Sequence, residues 1–323
     1  MRNVTLRQLR AIATIAKTGK VLNAAEVLGV TPPAVTLQLR QLEDTLGMPL
    51  FDRTRDGMRP TTAGRYLIDT SHRIEAELMS CEEALRAMQG LKAGPVSIGV
   101  VSTAKYFAPA MLGAFKSEHP DVEIQLHVCN REETIHRLAE LEFDLVIMGR
   151  PPEGVDMHSS KIGDHPHVII APPDHPLASQ QGISVAKLAN ETFLTRESGS
   201  GTRILMEHFL ADGGVKPLMG MEISSNETIK QAVMAGLGIA FISAHTVVAE
   251  IETGRLVILD VEGLPIMRIW RIAHHTHKRL MPAAAALWEF LVREGHTFLP
   301  NPMHAEQIAE DRKKGKKTSG SKR

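Results

Sequence analysis

The sequence is poor in cysteine and in aromatic residues, and it contains no long hydrophobic run. Its two cysteines, Cys81 and Cys129, are too few for a disulfide framework and lack metal-ligand spacing, which favours a reducing compartment. No window reaches the roughly 18 consecutive apolar residues of a membrane-spanning helix. The first twenty residues carry charges every few positions, a pattern that is not typical of a signal peptide. We therefore expect a cytoplasmic protein with no membrane partner.

The chain also lacks a net charge, since 37 basic side chains balance 37 acidic ones. The balance is uneven, because residues 1–65 contain ten lysines and arginines but only five aspartates and glutamates. A local positive excess of this kind favours a polyanionic partner. With 323 residues, 43% of them hydrophobic, the chain is long enough for two or three soluble domains.

Three short helices are predicted within the first 47 residues. Apolar residues recur at helical spacing over 6–16 and 21–28, and Gly19 and Gly29 end these two segments. The third segment, TPPAVTLQLRQLEDTLG (31–47), starts with a threonine suited to the N-cap and two prolines that fit a first helical turn. Short helices joined by turns of two to four residues are typical of a helix-turn-helix.

The third helix has two distinct faces. Val35, Leu39, Leu42 and Leu46 form one narrow stripe, which we expect in the core. The opposite face carries side chains that suit a DNA major groove, and a plain solvated face is the alternative interpretation.

The segment LFDRTRDGMRP (50–60) follows the third helix and breaks the helical period. A turn signal at Asp56-Gly57 and three arginines predict a basic β-hairpin wing. The residues that we expect to contact DNA are Thr31, Pro32, Pro33, Thr36, Leu37, Gln38, Arg40, Arg53 and Arg55.

A long helix is predicted after the wing, opened by Thr61 and Thr62. Its apolar positions alternate in steps of four and three, which is the period of a coiled-coil seam and favours a dimer. A helix packed only on its own domain is the alternative. The seam positions are Leu67, Ser71, Ile74, Leu78, Cys81, Leu85 and Met88.

After Gly94-Pro95 the pattern changes to short apolar strands that alternate with helices, which predicts a parallel α/β sheet in two lobes. The expected strands are 96–101, 122–128, 144–149, 167–172, 192–196, 221–225, 239–243 and 266–273. The helices expected between them include 103–120, 131–143 and a short one at 184–190. The expected domains are a winged helix-turn-helix at 5–62, a linker helix at 63–91, an effector domain at 95–300 and a disordered basic tail at 301–323. Lobe I of the effector domain spans about 95–164 and 269–300, and lobe II spans about 165–268.

Polar residues follow several predicted strands, at the sheet edge where α/β proteins bind ligands. Ser102 and Thr103 lie between a strand and a helix, and RESGSGTR (196–203) is a second Gly/Ser-rich turn that opens a helix. Such turns favour an anion, although this one lacks the Lys-Ser/Thr ending of a P-loop, and plain helix caps are the alternative. The expected anion-binding residues are Ser102, Thr103, Lys105, Arg150, Glu197, Ser198, Ser200, Thr202, Arg203, Asn226 and Thr228.

No catalytic residues, metal or cofactor are predicted. The sequence has no G-x-S-x-G elbow around a nucleophilic serine. The sequence contains a histidine pair, His165 and His167, and a histidine group, His274, His275 and His277. In neither does a cysteine or carboxylate complete a metal-ligand set. We expect them to be strand or surface histidines.

Several motifs of residues 6–64 occur together in a known family. LRQL, AAEVLGVTPPAVT, QLEDTLGMPLF and the R-x-R…T-x-A-G segment resemble the N-terminal domain of LysR-type transcriptional regulators. The following module resembles that family's two-lobed, periplasmic-binding-protein-like (type 2) effector domain, so the resemblance covers residues 1 to about 300. Many family members have Ser-Arg where this chain has Thr36-Leu37, which leaves less hydrogen-bonding reach to DNA at that point.

Five effector-domain segments resemble the family members that control Calvin-cycle carbon-fixation operons: GVVSTAKYFAP, DLVIMGRPP, RESGSGTR, SNETIKQAVMAGLGIAF and LDVEGLPIMRIW. The resemblance implies a homotetramer, built from homodimers, that binds a T-N11-A site in double-stranded promoter DNA, with RNA polymerase as a further partner. It also implies an allosteric effector such as ribulose bisphosphate, phosphoenolpyruvate, ATP or NADPH. The alternatives are a LysR-type regulator of another metabolic operon and a cytoplasmic solute-binding protein.

Overall fold

The computed structural model describes residues 4–54, 57–88 and 95–301, apart from the side chains at 80, 83, 84 and 86–88. The chain divides into two compact units, Met1–Leu91 with His277–Arg279, and Lys92–Thr276 with Leu280–Arg323. Within the described ranges, no helix is both long enough and apolar enough to cross a membrane.

The first of these units, the N-terminal unit, is a helix-turn-helix with a hairpin wing and a long helix, as predicted. Its core consists of apolar residues from every helix, with Ile12, Ile15 and Leu42 fully buried. Its described elements are α1 (Leu6–Thr18), α2 (Val21–Leu28), α3 (Pro32–Leu46), β1 (Phe51–Thr54), β2 (Gly57–Pro60) and α4 (Thr62–Met88).

Local sequence signals fix the ends of α1. The Gln8 amide donates to Thr5 Oγ1 at 3.3 Å, and the Thr5 amide donates to Gln8 Oε1 at 2.9 Å, which forms a capping box. At the other end, Gly19 adopts a left-handed conformation with φ of 69° that side chains with a Cβ disfavour. The prediction that Gly19 closes this helix is therefore confirmed.

The two prolines occupy the first two positions of α3, where no intrahelical hydrogen bond is lost. Thr31 is at the N-cap position, as predicted, although its side chain makes no capping hydrogen bond. The reason is local: Pro33 has no amide hydrogen to donate, and the Ala34 amide donates to the Thr31 carbonyl at 2.9 Å.

The C-terminal unit is built on a seven-stranded sheet whose strands run in the order β10-β6-β11-β5-β3-β4, with β9 paired to β6. Two further strands, β7 and β8, form a small parallel pair. The strands are β3 (Val96–Val101), β4 (Ile124–Cys129), β5 (Leu145–Met148), β6 (Met157–Ala171), β7 (Thr192–Arg196), β8 (Leu218–Ile223), β9 (Ala240–Ser243), β10 (Val257–Ile258) and β11 (Ile266–His275). The helices are α5 (Ala108–Glu118), α6 (Arg131–Ala139), α7 (Gly201–Asp212), α8 (Asn226–Met234), α9 (Val248–Glu252) and α10 (Pro282–Glu294).

The large sheet is mixed, which corrects the prediction of a parallel one. β3 pairs in parallel with β4 and β5, but β6 and β11 pair antiparallel with each other along ten residues. β11 also pairs antiparallel with β5, and β9 with β6. The chain therefore passes from one lobe to the other along β6 and returns along β11.

Three apolar cores lie around this sheet. One combines β3, β5, α5 and α10 around Phe115, Trp270 and Phe290, and we call its surroundings lobe I. The other two combine β7, β9, α7 and α8 with the C-terminal half of β6, and we call their surroundings lobe II.

Several predicted helices are shorter than the sequence pattern indicated. The segment 103–120 forms a 3-10 turn at Ala104–Tyr106 before α5, because Pro109 fits only a first helical turn. The helix predicted over 131–143 ends at Ala139, and Leu141 adopts a positive φ of 59°. The predicted short helix at 184–190 is a 3-10 helix, Val185–Asn190.

Candidate DNA-binding and effector sites

The leucine stripe of α3 is buried, which leaves the opposite face available for DNA. Val35, Leu39 and Leu42 are buried, and Leu46 packs against the same core. Of the predicted DNA contacts on this helix, Thr36 and Gln38 are half-buried, and Leu37 and Arg40 are exposed. At the helix start, Thr31 and Pro33 are exposed and Pro32 is half-buried.

The hydroxyl hydrogen of Thr36 is already used within the helix. Thr36 Oγ1 donates to the Pro32 carbonyl at 3.0 Å, so its hydroxyl keeps only acceptor capacity for an outside partner. Arg40 supplies exposed donors on the same helix, and its guanidinium suits phosphates or guanine.

The wing is attached to the turn between α1 and α2. The Met58 amide donates to the Gly19 carbonyl at 2.8 Å, and a Cβ at Gly57 would lie 2.4 Å from the same oxygen. Gly57 also has a φ of +135°, so only glycine fits both the conformation and the space. Arg53 is exposed on β1, whereas Arg55 lies outside the described residues.

A cavity of about 380 Å³ lies between lobes I and II. It opens where β3 and β5 end and where α7 begins, as the sheet-edge rule predicts. Five predicted effector residues line it: Ser102, Thr103, Arg150, Ser200 and Thr202. Eight polar lining residues were absent from the predicted set: Asn130, Arg131, Glu153, His165, His167, Arg196, His208 and Arg268.

The N-terminus of α7 faces this cavity without a side-chain cap. Ser200 is at the N-cap position, and in the described structure its hydroxyl makes no capping hydrogen bond. Ser200 and Thr202 are buried and line the cavity. The first amides of a twelve-residue helix, together with its dipole, favour an anion at this point.

Arg131 lies beside the same helix end. A Cβ on Gly201 would lie 3.0 Å from Arg131 Cδ, and the Arg131 guanidinium donates to the Arg150 carbonyl. Burial and, second, the charge of Arg150 lower the pKa of Arg131. A guanidinium in this setting is stabilised by an incoming anion.

Arg196 lines the cavity, but its side chain also links the two lobes. Its side chain is 2% exposed and pairs with Glu197 through Nε at 2.7 Å and through Nη2 at 2.9 Å. The same guanidinium donates to Asn226 Oδ1 and, at 3.0 Å, to Ser102 Oγ of lobe I. These contacts join β7, α8 and the end of β3, and they leave the charge of Arg196 neutralised by Glu197.

A smaller cavity of about 330 Å³ lies on the other side of the Arg196 side chain. Four predicted effector residues line it: Ser102, Lys105, Glu197 and Asn226. The predicted residues are thus divided between two adjacent cavities that share Ser102 and Arg196.

Three predicted effector residues line neither cavity. Arg203 pairs instead with Glu207 at 2.8 Å and with Glu222, and hydrogen bonds to both raise its pKa. The Thr228 amide donates to Ser225 Oγ in the cap of α8, and Ser198 is exposed in the turn before α7.

Two of the cavity histidines, His165 and His167, are strand residues, as predicted, but they are buried. His165 and His167 alternate on β6 with side chains 5% and 3% exposed, on the face that borders the cavity. The available signal was the spacing of the two histidines at the start of the predicted strand 167–172, since two strand residues separated by one position lie on one face.

Two family models match the chain. "Bacterial regulatory helix-turn-helix protein, lysR family" matches residues 6–65, and "LysR substrate binding domain" matches residues 89–296.

Relatives of similar length match nearly the whole chain. The HTH-type transcriptional regulator CbbR of Xanthobacter flavus is 50% identical over 298 residues, covering 92% of this chain and 90% of the relative. The RuBisCO operon transcriptional regulator of Allochromatium vinosum is 44% identical over 292 residues, covering 90% and 97%.

Among solved structures, the C-terminal unit resembles the regulatory domain of Synechocystis PCC6803 CcmR in complex with 2-PG. The TM-score is 0.60 at 38% sequence identity, and the match covers 62% of this chain and 96% of that one. A winged helix-turn-helix followed by a two-lobed domain agrees with both family models over their matched ranges. This chain belongs to the LysR family of bacterial transcriptional regulators.

Proposed function

We propose that this regulator controls carbon-fixation genes and that a small anionic metabolite bound between its lobes changes its action at promoter DNA. The gene assignment is supported by two relatives that are named as regulators of the RuBisCO operon and that align over nine-tenths of the chain. The ligand assignment is supported by the related CcmR domain, which was solved in complex with 2-PG.

The feature that favours an anionic ligand is the N-terminal end of α7. An uncapped helix N-terminus, the hydroxyls of Ser200 and Thr202, and the Arg131 guanidinium meet at one end of the larger cavity. Each of these groups donates hydrogen bonds or carries positive charge, so together they favour a phosphate or carboxylate.

The cavity volume favours the smaller candidates. At about 380 Å³ it lies near the lower end of the range for ligand pockets, roughly 300–1,000 Å³. Ribulose bisphosphate and phosphoenolpyruvate therefore fit the proposal better than ATP or NADPH. Such a ligand acts allosterically, by preferring one arrangement of the lobes, and is not a cofactor.

The DNA-binding role rests on the exposed face of α3 and on the wing, and the assembly role rests on α4. The first seam residues of α4, Leu67 and Ser71, are buried, whereas Leu78 and Leu85 are 43% and 55% exposed. An exposed half-seam with a sustained 3.5-residue period is suited to a second copy of the chain. The proposed form is a cytoplasmic homodimer or homotetramer on double-stranded promoter DNA, with RNA polymerase as a further partner.

The experiment is a thermal-shift titration of the full chain with four ligands, followed by DNA binding. A ligand that binds the folded state raises its melting temperature with concentration. We expect ribulose 1,5-bisphosphate or phosphoenolpyruvate to give the larger shift, with ATP and NADPH weaker.

DNA binding is then measured on a RuBisCO-operon promoter fragment that contains a T-N11-A site, with a scrambled fragment as the control. Selective binding to other operon promoters but not to this one would assign the protein to another regulon. Ligand binding without selective binding to any promoter would favour a solute-binding protein instead.

A further inference from the structure

A stack of aromatic rings lies under the floor of the larger cavity. The rings of His165 and Trp270 are stacked at 3.7 Å between centroids, and the rings of His165 and His167 are 4.1 Å apart. The indole of Trp270 donates to His245 Nδ1 at 3.1 Å. The three histidines come from β6 and from the segment after β9, and Trp270 comes from β11, so the stack lies where the two lobes join.

Most of the polar atoms in this stack have partners. His165 Nε2 lies 3.0 Å from Ser243 Oγ, and His167 Nδ1 lies 3.3 Å from the His165 carbonyl. His165 Nδ1 differs, because it is buried and has no hydrogen-bond partner among the described residues. A Cβ on Gly149, which lines the cavity after β5, would lie 3.8 Å from this nitrogen. A buried polar atom without a partner costs free energy unless something else satisfies it.

We infer that His165 Nδ1 hydrogen-bonds an uncharged oxygen of the effector, a hydroxyl or carbonyl, and thereby selects oxygen-bearing ligands over equally charged ligands without that oxygen. This inference rests on the proposed function, because it concerns the same cavity. The anionic group binds at the α7 end beside Arg131, and His165 contacts the part of the ligand that points to the cavity floor.

The stack favours an uncharged oxygen because its imidazoles are neutral. Burial lowers the pKa of His165 well below 6.5, and it lowers the pKa of His167 to about 3 and of His245 to about 4. A neutral imidazole offers one donor and one acceptor, and Ser243 can use its hydroxyl in either direction. Nδ1 can therefore donate to a carbonyl of the ligand or accept from one of its hydroxyls. A second negatively charged group of the ligand is better placed near Arg268, which is exposed and lines the same cavity.

Two ligands of equal charge test the selection. Ribulose 1,5-bisphosphate carries hydroxyls and a carbonyl between its phosphates, and pentane-1,5-diol bisphosphate has the same chain length and phosphates without them. We expect the full-length wild-type chain to bind the first at least about tenfold more tightly by calorimetry, since an unmatched buried polar group costs that much. Equal affinities would overturn the inference.

Two substitutions separate a ligand contact from a role in packing. The amide of His165→Asn reaches the position of Nδ1, whereas the amide of His165→Gln reaches the position of Nε2 and keeps the bond to Ser243. We expect His165→Asn to retain most of the preference for ribulose bisphosphate and His165→Gln to lose it. The reverse ranking, with Gln the better replacement, would show that the ring is needed only for its contact with Ser243.

The same binding experiments distinguish a failure of the proposed anionic effector from a failure of the role of His165. If neither bisphosphate binds the wild-type chain, the anionic effector itself is wrong, and the role of His165 is overturned with it. If both bind alike and Arg131→Gln weakens both, the anion site stands and only the role of His165 is overturned.

Discussion

The arginines of the effector unit differ in whether a carboxylate already neutralises them. Arg196 pairs with Glu197, and Arg203 pairs with Glu207 and Glu222. Arg131 has a backbone carbonyl as its described hydrogen-bond acceptor, and its pKa is lowered by burial. Of these three arginines, Arg131 therefore gains most from an anion in the cavity.

Replacing Arg131 tests this assignment. We expect Arg131→Gln to weaken binding of ribulose 1,5-bisphosphate about 10- to 100-fold, because a charge-assisted hydrogen bond is lost. Arg203→Gln, which also removes one arginine but lies outside both cavities, should change the affinity less than about threefold. Equal effects of the two substitutions in calorimetry would contradict the assignment.

The buried histidines give the effector unit a pH-dependent stability. Their pKa values are lower in the folded state than in the unfolded chain, so the unfolded chain binds more protons below about pH 6.5. The free energy of unfolding should therefore have its full value above pH 6.5. It should fall as the pH drops toward 4, by up to about 1.4 kcal/mol per pH unit for each histidine.

Urea unfolding at pH 7.5, 6.5 and 5.5 checks this expectation. Tryptophan fluorescence reports on the effector unit alone, because the chain's two tryptophans, Trp270 and Trp288, both lie there. His167→Phe should reduce the loss between pH 6.5 and 5.5 by up to about 1.4 kcal/mol. An unchanged pH slope in that variant would exclude His167 as a source of the effect.

The position of the cavity between the lobes could be predicted from the sequence, but only part of its lining could. Ser102 and Thr103 follow a strand, and that position alone places them at the ligand edge of the sheet. Arg203 follows the same rule yet pairs with Glu222, a residue of another element that no local pattern connects to it. Arg131 follows β4 and could have been found by the rule, whereas the orphan nitrogen of His165 depends on tertiary packing.

At the scale of elements, the junction between wing and long helix is the most tightly constrained part of the DNA-binding unit. Thr61 Oγ1 accepts from the Gly64 amide at 3.0 Å and donates to the Pro49 carbonyl at 3.0 Å. A Cβ on Gly64 would lie 2.0 Å from the Leu50 carbonyl oxygen, which is backbone and cannot rotate away. The start of α4 is therefore fixed against the segment that leads into β1.

Gly64→Ala should destabilise the N-terminal unit by about 2 kcal/mol or more, although alanine favours helices. The matched control is Gly113→Ala in α5, where a Cβ would meet nothing within 4 Å, and there we expect no loss of stability. Thermal unfolding by circular dichroism measures both variants. Equal melting temperatures for the two would show that the backbone at Gly64 can move aside.

Apolar patterns with periods of 3.6 and 3.5 residues were the most informative sequence signals. The sequence was least informative about which strands pair with each other. The buried stripe of α3 follows directly from its leucine spacing. The first half of β6 was missed, because its residues MHSSKIGDHP are polar and contain Pro166. Its strand conformation comes from pairing with β11, a segment about a hundred residues later, and local sequence carries no information about that partner.

At the scale of the whole molecule, the exposed half-seam of α4 predicts self-association. Leu78→Lys should weaken or abolish the dimer, because it places a charge in an apolar contact between copies. Met79→Lys is the control, since Met79 is 58% exposed on the same helix but lies off the seam. Analytical ultracentrifugation should give a mass near one chain for Leu78→Lys and the wild-type mass for Met79→Lys. Identical masses for the two variants would rule out the seam as the interface.

The central claim is that ligand binding between the lobes changes how the protein binds promoter DNA. Its most direct test is fluorescence anisotropy on a labelled RuBisCO-operon promoter fragment at 50 and 200 mM salt, with and without ribulose 1,5-bisphosphate. We expect selective binding that weakens steeply with salt, since phosphate contacts release counterions. We also expect the ligand to shift the wild-type affinity, and to leave Arg131→Gln unchanged at the same concentration. Salt-sensitive binding that the ligand alters equally in wild type and Arg131→Gln would contradict the effector site, and no selective binding at all would contradict the account.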